Sequence, residues 1–154
     1  GGFSTLVDGF AVAEYIKKNN FQAFESLTTT NLRYQFQDKD IVLENWGELI
    51  ELDKDGDYKQ VRYSTRVDYV PPLETEKLKI FYQSRKLLSE LYCSSEFELR
   101  FKLQPGDIMM FDNHRLLHGR TAYDANEGMR HLQGCYLEFD ATDGKLRHLA
   151  RKFK

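Results

Sequence analysis

The spacing of apolar and polar positions predicts a chain of short strands supported by a few helices. Ser4 to Val7 reads as a strand that stops at the turn dipeptide Asp8-Gly9. Beyond it Phe10, Ala13 and Ile16 share one helical face, with Asp8 placed to cap the first turn. Asn19-Asn20 interrupts this pattern, and Phe21, Phe24 and Leu27 carry one or two further helical turns. Leu32 to Gln37 alternates and is expected to be a strand. Gly47 to Leu52 and Tyr58 to Ser64 alternate as well, and Asp53-Lys54-Asp55-Gly56-Asp57 between them completes a β-hairpin pattern. The acidic tip is a turn rather than a calcium loop. An EF-hand needs glycine at its sixth position and glutamate at its twelfth, where this segment has Gly56 fourth and Ser64 twelfth.

After Pro71-Pro72 the strongest helical pattern runs from Leu73 to Tyr92. Leu78, Phe81, Tyr82, Arg85, Leu88, Leu91 and Tyr92 form one stripe, expected to pack as core. Phe97, Leu99, Phe101 and Leu103 alternate with charged residues, as in a strand with one solvated face. Pro105-Gly106-Asp107 is a tight turn, and Ile108 to Phe111 is a short apolar run expected to be a covered strand. Arg130 to Phe139 is expected to be another strand, and Asp143 to Lys152 a short terminal helix. Many short strands with one long helix predict a mainly β protein with supporting helices, a double-sheet sandwich or jelly roll, in a single domain over residues 1–154. Strands and helices do not alternate, which disfavours a parallel α/β fold.

Composition narrows the function classes. The 154 residues include 14% aromatic side chains, which suits a packed core rather than a disordered chain. Net charge is −2, with acidic and basic residues balanced, so neither a nucleic-acid partner nor a membrane surface is indicated. No apolar run approaches the roughly 18 residues that span a bilayer. The first Met is Met109 and the chain opens on Gly1-Gly2-Phe3, without a signal-peptide pattern. That favours an excerpt of a longer protein. Cys93 and Cys135 are too few for a disulfide framework and are expected to be reduced, buried thiols of an intracellular protein.

The chemistry concentrates in Asp112-Asn113-His114-Arg115-Leu116-Leu117-His118-Gly119-Arg120. Neutral imidazole binds divalent metals, and guanidinium grips a carboxylate through two parallel hydrogen bonds. A hairpin leading to Arg130, twelve residues after His118, would bring that guanidinium back alongside the imidazole. On residue types alone, a hydrogen-bonded structural histidine and a salt-bridged arginine rim remain the ordinary alternative.

The run Met110 to Arg120 closely resembles the distal-histidine segment of the γ-butyrobetaine and trimethyllysine hydroxylases, within the taurine-dioxygenase-like group. Gly1 to Phe10, Leu103-Gln104-Pro105-Gly106-Asp107 and Arg130-His131-Leu132-Gln133-Gly134-Cys135-Tyr136 resemble that family too, in the same order. The resemblance spans essentially the whole chain. It implies a double-stranded β-helix, a cupin-like jelly roll that would be incomplete in this chain. It also implies iron(II) held by a His-x-Asp/Glu pair and a distal histidine, with 2-oxoglutarate as cosubstrate and ascorbate as reductant.

By that resemblance His118 matches the distal metal ligand and Arg130 the residue that grips the far carboxylate of 2-oxoglutarate. Tyr136 matches an aromatic position beside the trimethylammonium group of the substrate. Arg120 is assigned to orienting the loop or a carboxylate, with replacement of Arg130 as its lesser alternative. The implied reaction is hydroxylation of a trimethylammonium carboxylic acid: γ-butyrobetaine first, trimethyllysine second. The rival reading is a truncated, non-catalytic binding module.

Three departures qualify the match. No His-x-Asp or His-x-Glu occurs: His114, His118, His131 and His148 are followed two places on by Leu116, Arg120, Gln133 and Ala150. In the family this pair would lie upstream of Gly1. The family usually has tryptophan where this chain has His114, which is not read as an extra ligand. Tyr63-Ser64-Thr65-Arg66 replaces a paired-asparagine segment that helps to bind substrate. His131 and His148 are read as structural. The remaining expectations are a small-molecule substrate, a homodimer of the parent protein and a cytoplasmic location, with mitochondria as the alternative.

Overall fold

The computed structural model describes residues 2–124, 126, 128 and 131–154. It divides into two compact units, Gly1–Tyr123 and Asp124–Lys154. The first opens with β1 (Ser4–Asp8), which runs directly into α1 (Gly9–Asn19). Asp8 ends the strand and starts the helix, its carboxylate accepting hydrogen bonds from the Phe10 and Ala11 N–H groups. Asn20 breaks the helical run and caps α2 (Phe21–Thr29) by accepting from the Ala23 N–H. Both asparagine and aspartate favour this position because a short side-chain oxygen reaches the unpaired amides of a first turn.

Next come β2 (Leu32–Gln37), β3 (Val42–Gly47), β4 (Ile50–Leu52), β5 (Tyr58–Val61) and β6 (Asp68–Tyr69). β2 is flanked by β3 and β6, both antiparallel, and β4 pairs with β5. The β4–β5 hairpin has the expected place, and its Asp53 carboxylate is occupied by the Asp55 and Asp57 N–H groups. That tip is built as a turn, with Gly56 at φ +86°.

The long helix α3 (Thr75–Tyr92) buries Phe81, Ser84, Leu88 and Tyr92 along one line, while Tyr82 falls outside the line and is exposed. Val12 and Ile16 of α1, Leu27 of α2 and Ile50 of β4 meet that line in one core. Arg85 leaves the stripe's apolar role to pair with Asp68 Oδ2 at 2.7 Å, joining α3 to β6. β7 (Glu98–Phe101) and β8 (Leu116–Arg120) flank β1 in a third antiparallel sheet. The second unit carries α4 (Phe139–Lys152).

Several expectations are corrected. Four helices of 11, 9, 18 and 14 residues stand beside eight strands of two to six, so the described residues are mixed rather than mainly β. They form three small antiparallel sheets. Residues 108–111 make no strand: Ile108 is 93% exposed and Met110 85%. Residues 131–138 make none either, and Phe139 already belongs to α4. An apolar run becomes a strand only when a neighbouring strand accepts its backbone hydrogen bonds, and the described residues offer these two runs no such ladder. Cys93 and Cys135 are unpaired but exposed, since Cys93 sits at the open end of α3 and Cys135 in the strandless run.

Candidate functional site

β1 holds the centre of its sheet, and its register fixes what lies beside it. Leu6 stands opposite His118 on one flank and Leu99 on the other, while Ser4 stands opposite Arg120 and Phe101. Directly opposed residues of antiparallel strands point to the same face. Leu6, Leu99, Phe101, His118 and Arg120 therefore share one side of the sheet. Val7 and Leu117 share the other, where Val7 is buried in the core and Leu117 packs against it. The alternation in β7 thus presents Leu99 outward, toward the imidazole's face, and leaves the Glu98 side chain well covered.

His118 lies on the more open face with its ring centroid 4.9 Å from that of Phe111. Among the described residues no hydrogen bond or ion pair engages its ring nitrogens. Arg120, two residues on, projects from the same face about 7 Å along the strand. Its guanidinium stacks over Tyr123 at 4.3 Å. One imidazole and one guanidinium are thus side by side on an apolar surface, a pairing suited to a metal donor next to an anion grip. Gly119 between them faces Thr5, whose Oγ1 would be 2.9 Å from an added Cβ.

The segment leading into β8 is fixed from two directions. Within it, Asp112 accepts from the His114 N–H through Oδ1 and from the Arg115 and Leu116 N–H groups through its carbonyl. The Gly9 N–H donates to the Arg115 carbonyl at 3.0 Å, and the Val61 N–H donates to the His114 carbonyl at 2.8 Å. Gly9 is required at this crossing. A Cβ there would lie 2.3 Å from Val61 Cγ2 and 3.0 Å from the Arg115 carbonyl.

On the side chains, Arg115 Nε donates to both Asp8 carboxylate oxygens at 3.1 Å, and its Nη2 reaches Oδ2 at 2.5 Å. The guanidinium also lies 5.6 Å from the Phe10 ring centre. Arg115 holds the Asp8 carboxyl below the ordinary carboxylate range, assisted by the Ala11 and Phe10 amides and opposed by partial burial. Asp8 in turn raises the affinity of Arg115 for its proton. Sequence reasoning assigned Arg115 no partner, because 107 residues separate it from Asp8.

The other expected site residues lie outside this first unit or outside the described residues. Arg130 lies outside the described residues. Tyr136 belongs to the second unit, in the strandless run, and is 89% exposed. His131 and His148 are exposed in that unit as well. Among the described residues no group of three or more His, Cys, Asp or Glu side chains is arranged to hold a metal ion. His118 could offer a metal one donor on this face, short of a whole coordination set among the described residues. No helix among the described residues is long and apolar enough to cross a membrane.

The chain's relatives are dioxygenases by name. Residues 1–136 match the taurine catabolism dioxygenase TauD, TfdA family, and the chain belongs to it. It is 37% identical to human γ-butyrobetaine dioxygenase over 159 residues, covering 99% of the chain and 41% of that protein. The trimethyllysine dioxygenase of the yeast Meyerozyma guilliermondii is 31% identical over 157 residues, 97% of the chain and 38% of the relative. The bovine mitochondrial trimethyllysine dioxygenase is 28% identical over 153 residues, 91% of the chain and 34% of the relative. The chain spans about two-fifths or less of the length of these curated relatives.

Proposed function

We propose that the full-length protein is an iron(II)- and 2-oxoglutarate-dependent dioxygenase that hydroxylates a trimethylammonium carboxylic acid. γ-Butyrobetaine is the first candidate and trimethyllysine the second. The observation that carries this reading is the 37% identity with human γ-butyrobetaine dioxygenase across 99% of the chain. Its supporting geometry is the imidazole of His118, unengaged among the described residues and set on an apolar sheet face beside Arg120.

In this reading His118 supplies one of three metal ligands, and the remaining His-x-Asp/Glu pair comes from chain outside these residues. Molecular oxygen would be the oxidant, activated at iron(II) while 2-oxoglutarate gives up two electrons on decarboxylation to succinate, with ascorbate keeping the metal reduced. The protein's own contribution is placement. Arg130 grips the far carboxylate of 2-oxoglutarate with its planar fork, Arg120 orients the neighbouring loop, and Tyr136 packs on the trimethylammonium group. The complete fold is a double-stranded β-helix in which the Leu6–His118 face turns inward. A homodimer is proposed, in the cytoplasm or, as the name of the bovine relative suggests, in mitochondria. With His118 the one matched donor among the described residues, the 154 residues alone are not expected to turn over 2-oxoglutarate.

The test offers the full-length protein iron(II), 2-oxoglutarate and ascorbate with γ-butyrobetaine or trimethyllysine, and follows product mass. Gain of one oxygen atom on γ-butyrobetaine, faster than on trimethyllysine, supports the reading. Turnover of neither compound would contradict it, and a preference for trimethyllysine would move the assignment to the second candidate.

A further inference from the structure

The Asp8–Arg115 pair is more elaborate than a surface ion pair. Arg115 addresses both carboxylate oxygens of Asp8, its guanidinium lies over Phe10, and its carbonyl receives the Gly9 N–H. Three consecutive residues at the β1–α1 corner thus hold one residue at the entry to β8. Asp8 and Leu116 are also the first rung of the β1–β8 ladder, and His118 is the third residue after Arg115. Next to this contact the Val61 N–H fixes the His114 carbonyl. Strand β8 is an edge strand among the described residues, bonded only to β1. Its ladder with β1 fixes register, but a twisted edge strand keeps freedom at its start unless something anchors that end.

We propose that Asp8 and Arg115 are positioning residues for His118: their clamp anchors the start of β8 so that the imidazole presents a fixed donor to the metal. This rests on the reading of His118 as a ligand. Asp8 has two separable duties, capping α1 and anchoring Arg115. Asparagine keeps the cap, since its side-chain oxygen accepts the same amides, but it loses the charge-assisted, two-oxygen grip. Arg115→Lys retains the charge and loses the planar fork, leaving the cap of α1 untouched. Groups that orient metal ligands without touching the metal typically contribute about 10-fold or more to metal affinity.

The experiment titrates the full-length protein with manganese(II) alone by calorimetry, comparing wild type, Asp8→Asn, Arg115→Lys and His118→Ala. The KM for 2-oxoglutarate is measured alongside. Roughly 10-fold weaker manganese binding is expected in both clamp variants, measured where each is fully folded, with that KM little changed. A merely structural role would leave the manganese affinity of the folded protein as it was, whatever the change in thermal stability. If His118→Ala loses manganese while either folded clamp variant keeps wild-type affinity, the positioning role is overturned and the ligand reading stands. If His118→Ala keeps manganese, the ligand reading falls and the positioning role falls with it. Should Asp8→Asn not fold, Arg115→Lys decides by the same criterion. Failure of both to fold would overturn the separation of cap from clamp on which the proposal depends.

Discussion

Leu6 faces His118 across the β1–β8 ladder, while Val7, one residue later, is buried in the core. The two-residue period of a strand thus decides which side of this sheet carries chemistry. Any change that slipped β8 by one residue would send the imidazole into the core and Leu117 to the open face. The anchors at Asp8, Gly9 and Val61 guard against that slip.

Arg85→Ala is expected to destabilise the fold by about 3–5 kcal/mol, the usual cost of leaving one partner of a buried pair alone. Only 3% of the Asp68 side chain is exposed. Arg85 also donates to the Ser64 carbonyl and lies over the Tyr63 ring, so the truncation leaves a buried carboxylate and a buried carbonyl unsatisfied. Urea unfolding of the variant measures the loss. Asp68→Asn is expected to lose less, because the asparagine oxygen still accepts from the guanidinium, which also keeps its bond to the Ser64 carbonyl.

The acid limb of stability should depend on Asp8. Its carboxyl is held below the ordinary range in the folded protein, chiefly by Arg115. The folded state therefore binds that proton less readily than the unfolded chain, whose aspartate titrates near 3.9. The stabilisation is fully present above about pH 3.9 and is lost as pH falls through the lower folded value. Melting temperatures followed from pH 6 to pH 3 should fall less steeply in Asp8→Asn than in wild type. Parallel curves would show that the pair adds no pH-linked stability.

Replacing Arg130 by lysine is expected to raise the KM for 2-oxoglutarate while changing that for the trimethylammonium substrate much less. Lysine keeps the charge but cannot meet a carboxylate with two parallel hydrogen bonds. Arg120 shares the His118 face, which makes it the competing grip. If Arg120→Lys gave the cosubstrate phenotype and Arg130→Lys did not, Arg120 would be the grip.

The parts legible in the sequence are those with local causes. Asp8 and Asn20 announce helix starts because capping is decided within three residues, and the 3.6-residue period of α3 is visible in its own side chains. Strands depend on partners, and there the reading failed in both directions. Val42 to Trp46 is exposed on both faces, so β3 shows no alternation of burial to betray it. Leu116 to Arg120 contains two basic groups and a glycine, yet it is a strand because β1 lies beside it. Ile108 to Phe111 and residues 131–138 have the apolar content of strands and no partner strand among the described residues. His118 could be placed by motif resemblance. Arg115 could not be given its role, because its carboxylate partner is at the other end of the described sheet's history, 107 residues earlier.

In the proposed function His118 is a metal ligand of a 2-oxoglutarate-dependent oxygenase. The most direct measurement is succinate release from 2-oxoglutarate by the full-length protein with added iron(II), comparing wild type with His118→Ala. Loss of essentially all turnover in a variant that still folds is the expected result, since removing one of three ligands disables the metal. Near-normal succinate release from His118→Ala would contradict it.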